Sequence, residues 1–323
     1  MRRSVASKIS LLQEQDFADD VRRGLTRRGQ KELNPKYFYD DVGSALFDVI
    51  TVLPEYGLWR ADARLLRQYS ASLAERLDRP SLIIELGSGS GSKTRWILSE
   101  LAARQPVTYC PIDISESALQ RCCRELGSID SVKIVPLAQS YLDGLRQALC
   151  LRPANTTVLI LFLGSTIGNF APEHAVEFLS SIRRMLRRGD VLYLSADLEK
   201  DPERMLAAYD DSIGVTAAFN LNLLARINRE LEGQFVLSRF RHRALYNEAE
   251  RRIEMHLQST MDQAVPVGDS LVVRFKREET IRTECSYKFR CTDIQELARS
   301  AGFECEAQWT DEEWPFAQSV LRA

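Results

Sequence analysis

The stretch Ser81-Leu-Ile-Ile-Glu-Leu-Gly-Ser-Gly-Ser-Gly-Ser-Lys-Thr94 sets a carboxylate, three glycines and a lysine in close succession. Glycines between a strand and a helix let the backbone approach a ligand, and the helix start offers unpaired N–H groups. Such a turn holds a nucleoside or a phosphate. The phosphate pattern G-x-x-x-x-G-K-[ST] fails at Ser92, although Lys93 and Thr94 fit it. The run Val158–Leu163 also enters Gly164-Ser165-Thr166 without the carboxylate a magnesium site requires. The dinucleotide pattern G-x-G-x-x-G fails at Ser92 as well. An S-adenosylmethionine site remains, because there the turn wraps an amino acid and a ribose and neutralises no phosphate. Asp113, closing Val107-Thr-Tyr-Cys-Pro-Ile-Asp113, supplies a carboxylate whose two oxygens can accept two vicinal ribose hydroxyls.

Parallel strands must present these residues. Ser81–Leu86, Val107–Ile112, Val132–Pro136, Val158–Leu163 and Asp190–Leu194 read as strands. Lys93–Ala103, Ser115–Leu126, Asp143–Ala148 and Ala171–Leu186 read as helices between them. The alternation predicts a sheet covered on both faces, with ligands at the carboxyl ends of its strands, where Gly87, Asp113 and Gly164 fall. Helix Thr292–Ala301 and strands Glu304–Trp309 and Phe316–Leu321 are expected to close the sheet, the last strand antiparallel. The fold class is therefore α/β, a Rossmann-like class I methyltransferase sheet with a second α+β domain built from both flanks. Residues 61–198 and 289–323 form the cofactor domain in this reading, and residues 1–60 and 199–288 the substrate domain. The latter contains helices Pro202–Tyr209 and Ala217–Leu231 and alternating segments Arg252–Gln258, Ser270–Phe275 and Thr280–Phe289.

The 43 basic and 45 acidic side chains leave a net charge of −2, which argues against nucleic acid or an anionic membrane as partner. No apolar run is long enough to span a bilayer, and the charged amino terminus has no secretory core. Seven cysteines without C-x-x-C spacing fit reduced thiols in a cytoplasm, and three histidines give no basis for a metal site. A monomer is expected.

Several long motifs, in order, resemble the histidine-specific Nα-methyltransferases of ergothioneine biosynthesis, which make hercynine (Nα-trimethylhistidine). They include Lys36-Tyr-Phe-Tyr-Asp-Asp-Val-Gly-Ser-Ala-Leu-Phe47, Leu53-Pro-Glu-Tyr56, Glu85-Leu-Gly-Ser-Gly89 and Phe162-Leu-Gly-Ser-Thr-Ile-Gly-Asn169. Ala208-Tyr-Asp-Asp211, Gly214-Val-Thr-Ala-Ala-Phe-Asn-Leu-Asn222, Ile253-Glu-Met-His-Leu257 and Glu279-Thr-Ile-Arg-Thr-Glu-Cys-Ser-Tyr-Lys-Phe289 continue the match.

The resemblance implies roles for individual residues. Asn169 and Tyr209 would bind the α-carboxylate of the substrate, both as donors that do not titrate at neutral pH. Tyr39 and Tyr56 would lie at the amino group as the catalytic candidates, with Gly164 and Thr166 beside it. Glu284 and Ser286, two apart on a strand face shared with Arg282 and Lys288, would read the imidazole, and Met255 would line its pocket. Gly87, Ser88, Gly89, Lys93 and Asp113 would hold the cofactor. The family's acidic-aromatic pair for adenine is Ser140-Tyr141 here, which transfers the amino-group contact to Ser140 or to backbone. Gly57-Leu-Trp-Arg60 replaces the family's usual Tyr-Pro-Thr-Arg beside Tyr56.

The expected chemistry is in-line attack of a neutral amine on a sulfonium methyl, so the protein mainly positions the pair and excludes water. Desolvation near the sulfonium lowers the amine pKa, and no dedicated general base stands out. Two other readings remain open on sequence alone: the same chemistry on tryptophan or tyrosine, and a nucleotide-binding protein without catalysis.

Overall fold

The computed structural model describes residues 16–77 and 80–323. They divide into two compact units, the described part of Met1–Glu55 with Asp201–Ser286, and Tyr56–Lys200 with Tyr287–Ala323. The division falls at Glu55–Tyr56, just before the continuous helix Gly57–Glu75. The return crossings fall at Lys200–Asp201 and Ser286–Tyr287.

In the larger unit the strand order is Glu304–Asp311, Phe316–Arg322, Val191–Asp197, Thr157–Phe162, Pro80–Leu86, Val107–Asp113 and Val132–Ile134, with Leu137–Ala138 also pairing Val107–Asp113. The central pairs are parallel, whereas Phe316–Arg322 runs antiparallel to both of its neighbours. This is the Rossmann-like class I methyltransferase sheet. The order reverses between Pro80–Leu86 and Thr157–Phe162, where a doubly wound sheet opens its crevice. Alternate strand residues feed two cores. Leu82, Ile84 and Leu86 pack with helices Tyr141–Leu149, Pro172–Met185 and Cys291–Ser300. Ile83, Tyr109 and Tyr193 pack with helices Gly57–Glu75, Arg95–Ala102 and Glu116–Leu126. Burial on both faces explains why these strands are continuously apolar rather than alternating.

The smaller unit holds a four-stranded sheet ordered Lys31–Glu32, Thr280–Tyr287, Arg252–Ser259, Phe240–Asn247, and a hairpin of Gln263–Val267 with Leu271–Phe275. Helices Asp41–Val52 and Val215–Glu230 are tied together through Asp40. Its carboxylate caps the first by accepting from Gly43 N at 2.7 Å, and it also accepts from Asn222 Nδ2 at 2.8 Å and from Arg229. Phe38 and Tyr37 are buried beneath them, with Phe38 stacked on Phe219 at 4.5 Å.

Most expected strands and helices end within about three residues of the observed ones. Helices Asp41–Val52 and Gly57–Glu75 and strands Phe240–Asn247 and Gln263–Val267 were not anticipated. Phe240-Arg-His-Arg turns His242 inward, where a pattern search expects an apolar residue, so the alternation is masked. No helix among the described residues is long and apolar enough to cross a membrane.

Candidate active site

The glycine turn follows strand Pro80–Leu86. Gly87, Gly89 and Gly91 take φ of +72°, +53° and +70°, a conformation that costs an L side chain roughly 1–2 kcal/mol per residue. A Cβ on Gly87 would meet the Tyr141 hydroxyl at 3.2 Å, whereas one on Gly89 would meet nothing within 4 Å. The turn is thus backed by Tyr141 at Gly87 and open at Gly89. Ser88 is buried beside them.

Asp113 is oriented by backbone on both oxygens. Oδ2 accepts from Gly89 N at 2.9 Å and Oδ1 from Ser115 N at 2.9 Å. A carboxylate has about four lone-pair directions, so acceptor capacity remains for a ribose hydroxyl. Burial pushes its carboxyl upward against the pull of those N–H groups. Tyr141 packs edge-on against Phe162 and Phe178 at 5.7 and 5.9 Å. Ser140 is exposed and donates to Asp143 Oδ2 at 2.6 Å, which leaves its oxygen as an acceptor of the kind an adenine amino group needs. The Asp143 carboxylate thus lies three positions after Ser140, in the first turn of helix Tyr141–Leu149. The open glycine turn and the oriented carboxylate fit S-adenosylmethionine.

Beneath the turn lies Glu85, whose Oε2 accepts from Thr94 Oγ1 at 2.7 Å and from the Tyr109 hydroxyl. Burial pushes its carboxyl up to about 7. Lys93 reaches from the turn to Asp62, a fully buried carboxylate in helix Gly57–Glu75. Asp62 also accepts from Gly164 N at 3.0 Å. The sequence motifs do not include Asp62, although Leu58, Ala61, Leu65 and Leu66 mark its face as the buried stripe of an amphipathic helix.

Strand Thr157–Phe162 leads into Gly164, Ser165 and the short 3-10 helix Thr166–Asn169. Ser165 has φ +61°, unusual for a residue with a side chain, and its Oγ accepts from Asp197 N at 2.8 Å. Thr166 Oγ1 donates to the Leu163 carbonyl at 3.0 Å, so its proton is used within the loop and its oxygen is left as an acceptor. Asn169 is half-buried at the helix end. A Cβ on Gly168 would meet the Tyr287 carbonyl at 2.8 Å, which fixes how closely this loop packs on its own unit. Tyr56, half-buried, occupies the residue before helix Gly57–Glu75.

The smaller unit gathers the remaining candidates. Tyr209 is 7 % exposed and its hydroxyl lies 2.7 Å from Ser286 Oγ. Ser286 and Met255 are buried, Glu284 is half-buried, and the Thr283 hydroxyl donates to the Met255 carbonyl at 3.1 Å. Behind Tyr209, His242 Nε2 donates to its carbonyl at 2.8 Å, and Asn220 Nδ2 donates to His242 Nδ1 at 2.8 Å. This pair of contacts selects the Nε2–H tautomer. Tyr39 is half-buried, with Phe47 and Phe219 edge-on at 5.6 and 5.9 Å. The candidates thus fall in two sets. Gly87, Ser88, Gly89, Lys93, Asp113, Ser140, Tyr141, Tyr56, Gly164, Thr166 and Asn169 belong to the larger unit, and Tyr39, Tyr209, Met255, Glu284 and Ser286 to the smaller.

Residues 17–323 match the family described as histidine-specific, S-adenosylmethionine-dependent methyltransferase. The chain belongs to that family. It is 41 % identical over 304 residues to a histidine N-alpha-methyltransferase of Mycobacterium tuberculosis, covering 93 % of each chain. Against the Mycolicibacterium smegmatis protein of the same name the identity is 40 %, again over 93 % of each. An ergothioneine biosynthesis protein 1 of Neurospora crassa is 30 % identical over 87 % of this chain and 32 % of its own length. The protein is an S-adenosylmethionine-dependent methyltransferase.

Proposed function

We propose that this enzyme methylates the α-amino nitrogen of L-histidine three times, giving hercynine for ergothioneine biosynthesis. The observation that carries the reading is the 41 % identity to a histidine N-alpha-methyltransferase along 93 % of both chains. Conserved chain length supports it, since no segment large enough to form a different substrate domain separates the two.

Asp113 would take the ribose hydroxyls, Gly87–Gly89 the backbone-facing edge, and Lys93 the carboxylate end of the cofactor. Ser140 and Tyr141 would bound the adenine. When bound, S-adenosylmethionine supplies a methyl group on a positively charged sulfur. The chain's own work is then positional. Asn169 and Tyr209 donate to the substrate carboxylate, while Glu284 and Ser286 engage the imidazole. A substrate without an imidazole N–H forgoes the contact with the Glu284 carboxylate, at a cost of about 1–3 kcal/mol. Tyr39 and Tyr56 orient the amine, which reacts as the neutral form, and their ring faces suit the quaternary ammonium of the product.

Incubation of the purified enzyme with S-adenosylmethionine and a panel of amino acids tests the reading by mass spectrometry. Trimethylated histidine is the expected product. Methylated tryptophan or tyrosine with untouched histidine would overturn it in favour of a sibling substrate.

A further inference from the structure

The partners of the Asp62 carboxylate come from four different parts of the larger unit. Oδ2 accepts from the Lys93 ammonium in the glycine turn and from Gly164 N after strand Thr157–Phe162. Oδ1 accepts from Ser195 Oγ at 2.7 Å on strand Val191–Asp197 and from Gln318 Nε2 at 2.6 Å on strand Phe316–Arg322. Gln318 cannot turn its amide over without loss. Its Oε1 accepts from the buried Tyr193 hydroxyl at 2.5 Å, and its Nε2 also donates to the Asp62 carbonyl at 3.0 Å. Every lone-pair direction of the Asp62 carboxylate is thereby used.

A carboxylate at 0 % exposure is costly to desolvate, and an apolar side chain on the same helix stripe would avoid that cost. What the apolar residue could not do is hold an ammonium. Lys93 is 15 % exposed at its side chain, and an ammonium has two donors beyond the one given to Asp62. A Cβ at Gly164 would come to 3.6 Å from Lys93 Nζ, and Gly164 sits at φ +74°. One carboxylate oxygen thus sets both the lysine and the glycine loop.

We propose that Asp62 is a positioning residue for methyl transfer, locking Lys93 to the Gly164 loop so that the cofactor-binding turn and the amine-side loop are held in one fixed relation. The inference rests on the reading of Lys93 as a cofactor contact and Gly164 as an amine-side contact. Asp62 itself touches neither ligand; it acts through those two residues.

The test is a double-mutant cycle on the intact enzyme, with S-adenosylhomocysteine binding read by calorimetry and initial rates read for both substrates. Asp62→Asn keeps the shape and one acceptor but loses the ion pair. It is expected to weaken S-adenosylhomocysteine binding and raise the KM for S-adenosylmethionine by about tenfold or more, the scale of a lost charge-assisted hydrogen bond. Lys93→Met should do the same, and the double variant should be no weaker than Lys93→Met alone, because one residue acts through the other. A purely structural aspartate would lower the thermal midpoint and leave both constants of the folded enzyme unchanged, which would overturn the proposal, as would strictly additive effects. Should Asp62→Asn fail to fold, Ser195→Ala removes one donor from Oδ1 only. It should weaken S-adenosylhomocysteine by about threefold, the scale of a neutral hydrogen bond, and unaltered binding would overturn the proposal. Parent enzyme that binds S-adenosylhomocysteine but leaves histidine unmethylated strikes the substrate assignment and leaves Asp62 standing. Parent enzyme that does not bind it at all removes the cofactor reading and this inference together.

Discussion

The hydroxyls of Tyr209 and Ser286 face one another at 2.7 Å, across 77 positions of sequence. The first residue is assigned to the substrate carboxylate and the second to its imidazole, so the two ends of histidine would be read by side chains in direct contact. Ser286 lies on strand Thr280–Tyr287, and Tyr209 follows helix Pro202–Ala207 with its carbonyl held by His242. A contact of this kind fixes the spacing between the two recognition points.

Tyr209→Phe and Ser286→Ala are each expected to raise the KM for histidine by roughly 3- to 30-fold, the range of a lost hydrogen bond to a neutral or charged group. The double variant should fall short of the product of the two, because neighbours in one network are not additive. The KM for S-adenosylmethionine should stay within about twofold in steady-state measurements. Strict additivity would show that the two hydroxyls act apart.

Glu284→Gln keeps the volume of the side chain and removes its charge. Histidine KM should rise by about tenfold, and the preference for histidine over amino acids lacking an imidazole N–H should narrow, since the charge-assisted contact to that N–H is lost. Competition assays with mixed amino acids read both effects. An unchanged preference would remove Glu284 from substrate recognition.

Asp113 separates the two ligands in the opposite sense. Both of its oxygens already accept from backbone N–H groups, so Asp113→Asn would aim an NH2 at Gly89 N or Ser115 N. The variant should bind S-adenosylhomocysteine at least about tenfold more weakly by calorimetry, beyond any loss from the ribose contact alone. Histidine KM at saturating cofactor should be little changed.

What was legible in the sequence followed from period and chemistry. The continuous apolar runs around Ile83, Ile112 and Ile160 read as strands buried on both faces by their length and their alternation with helices, and the glycine turn with Asp113 could be placed at their carboxyl ends. Asp62 was readable in principle as a carboxylate on the stripe of Leu58, Ala61, Leu65 and Leu66, but its partners Ser195 and Gln318 lie more than a hundred positions away. Strand Thr280–Tyr287 shows the limit from the other side. Its polar face reads as solvated by alternation, yet Ser286 is 4 % exposed and Lys288, just beyond the strand, is 2 %. Lys288 is held by Asp197 at 2.9 Å, a pairing no local pattern announces.

Glu85 makes the stability of the enzyme depend on pH. Burial raises its carboxyl from 4.5 to about 7, so between those values the folded chain binds a proton that the unfolded chain has released. Stability from this group is therefore greatest below pH 4.5, falls as pH rises through 7 and is flat above, a span on the order of 3 kcal/mol. Glu85→Gln can still accept from Thr94 and Tyr109 through one oxygen and should flatten that slope. Denaturant unfolding across the range measures it, and an equal slope in both proteins would reject the assignment.

His242 pulls the other way. Burial depresses its pKa below the ordinary 6.5, against the raising influence of the Tyr209 carbonyl and of Asp210 and Asp211. The native ring binds protons less readily than the unfolded one, so its stability contribution is full above about pH 6.5 and is lost as pH falls from there toward the folded value. Protonation would place a hydrogen on Nδ1 against the Asn220 amide, which donates at 2.8 Å. His242→Phe should shrink this acid limb, with His256, also depressed by burial, supplying what remains. It also removes the donor to the Tyr209 carbonyl, so about 1–2 kcal/mol of stability should go, and histidine KM should rise while S-adenosylmethionine KM holds. Steady-state rates at pH 8, where the parent ring is neutral, separate that positioning effect from titration. If histidine KM there matches the parent, His242 serves the fold and not Tyr209.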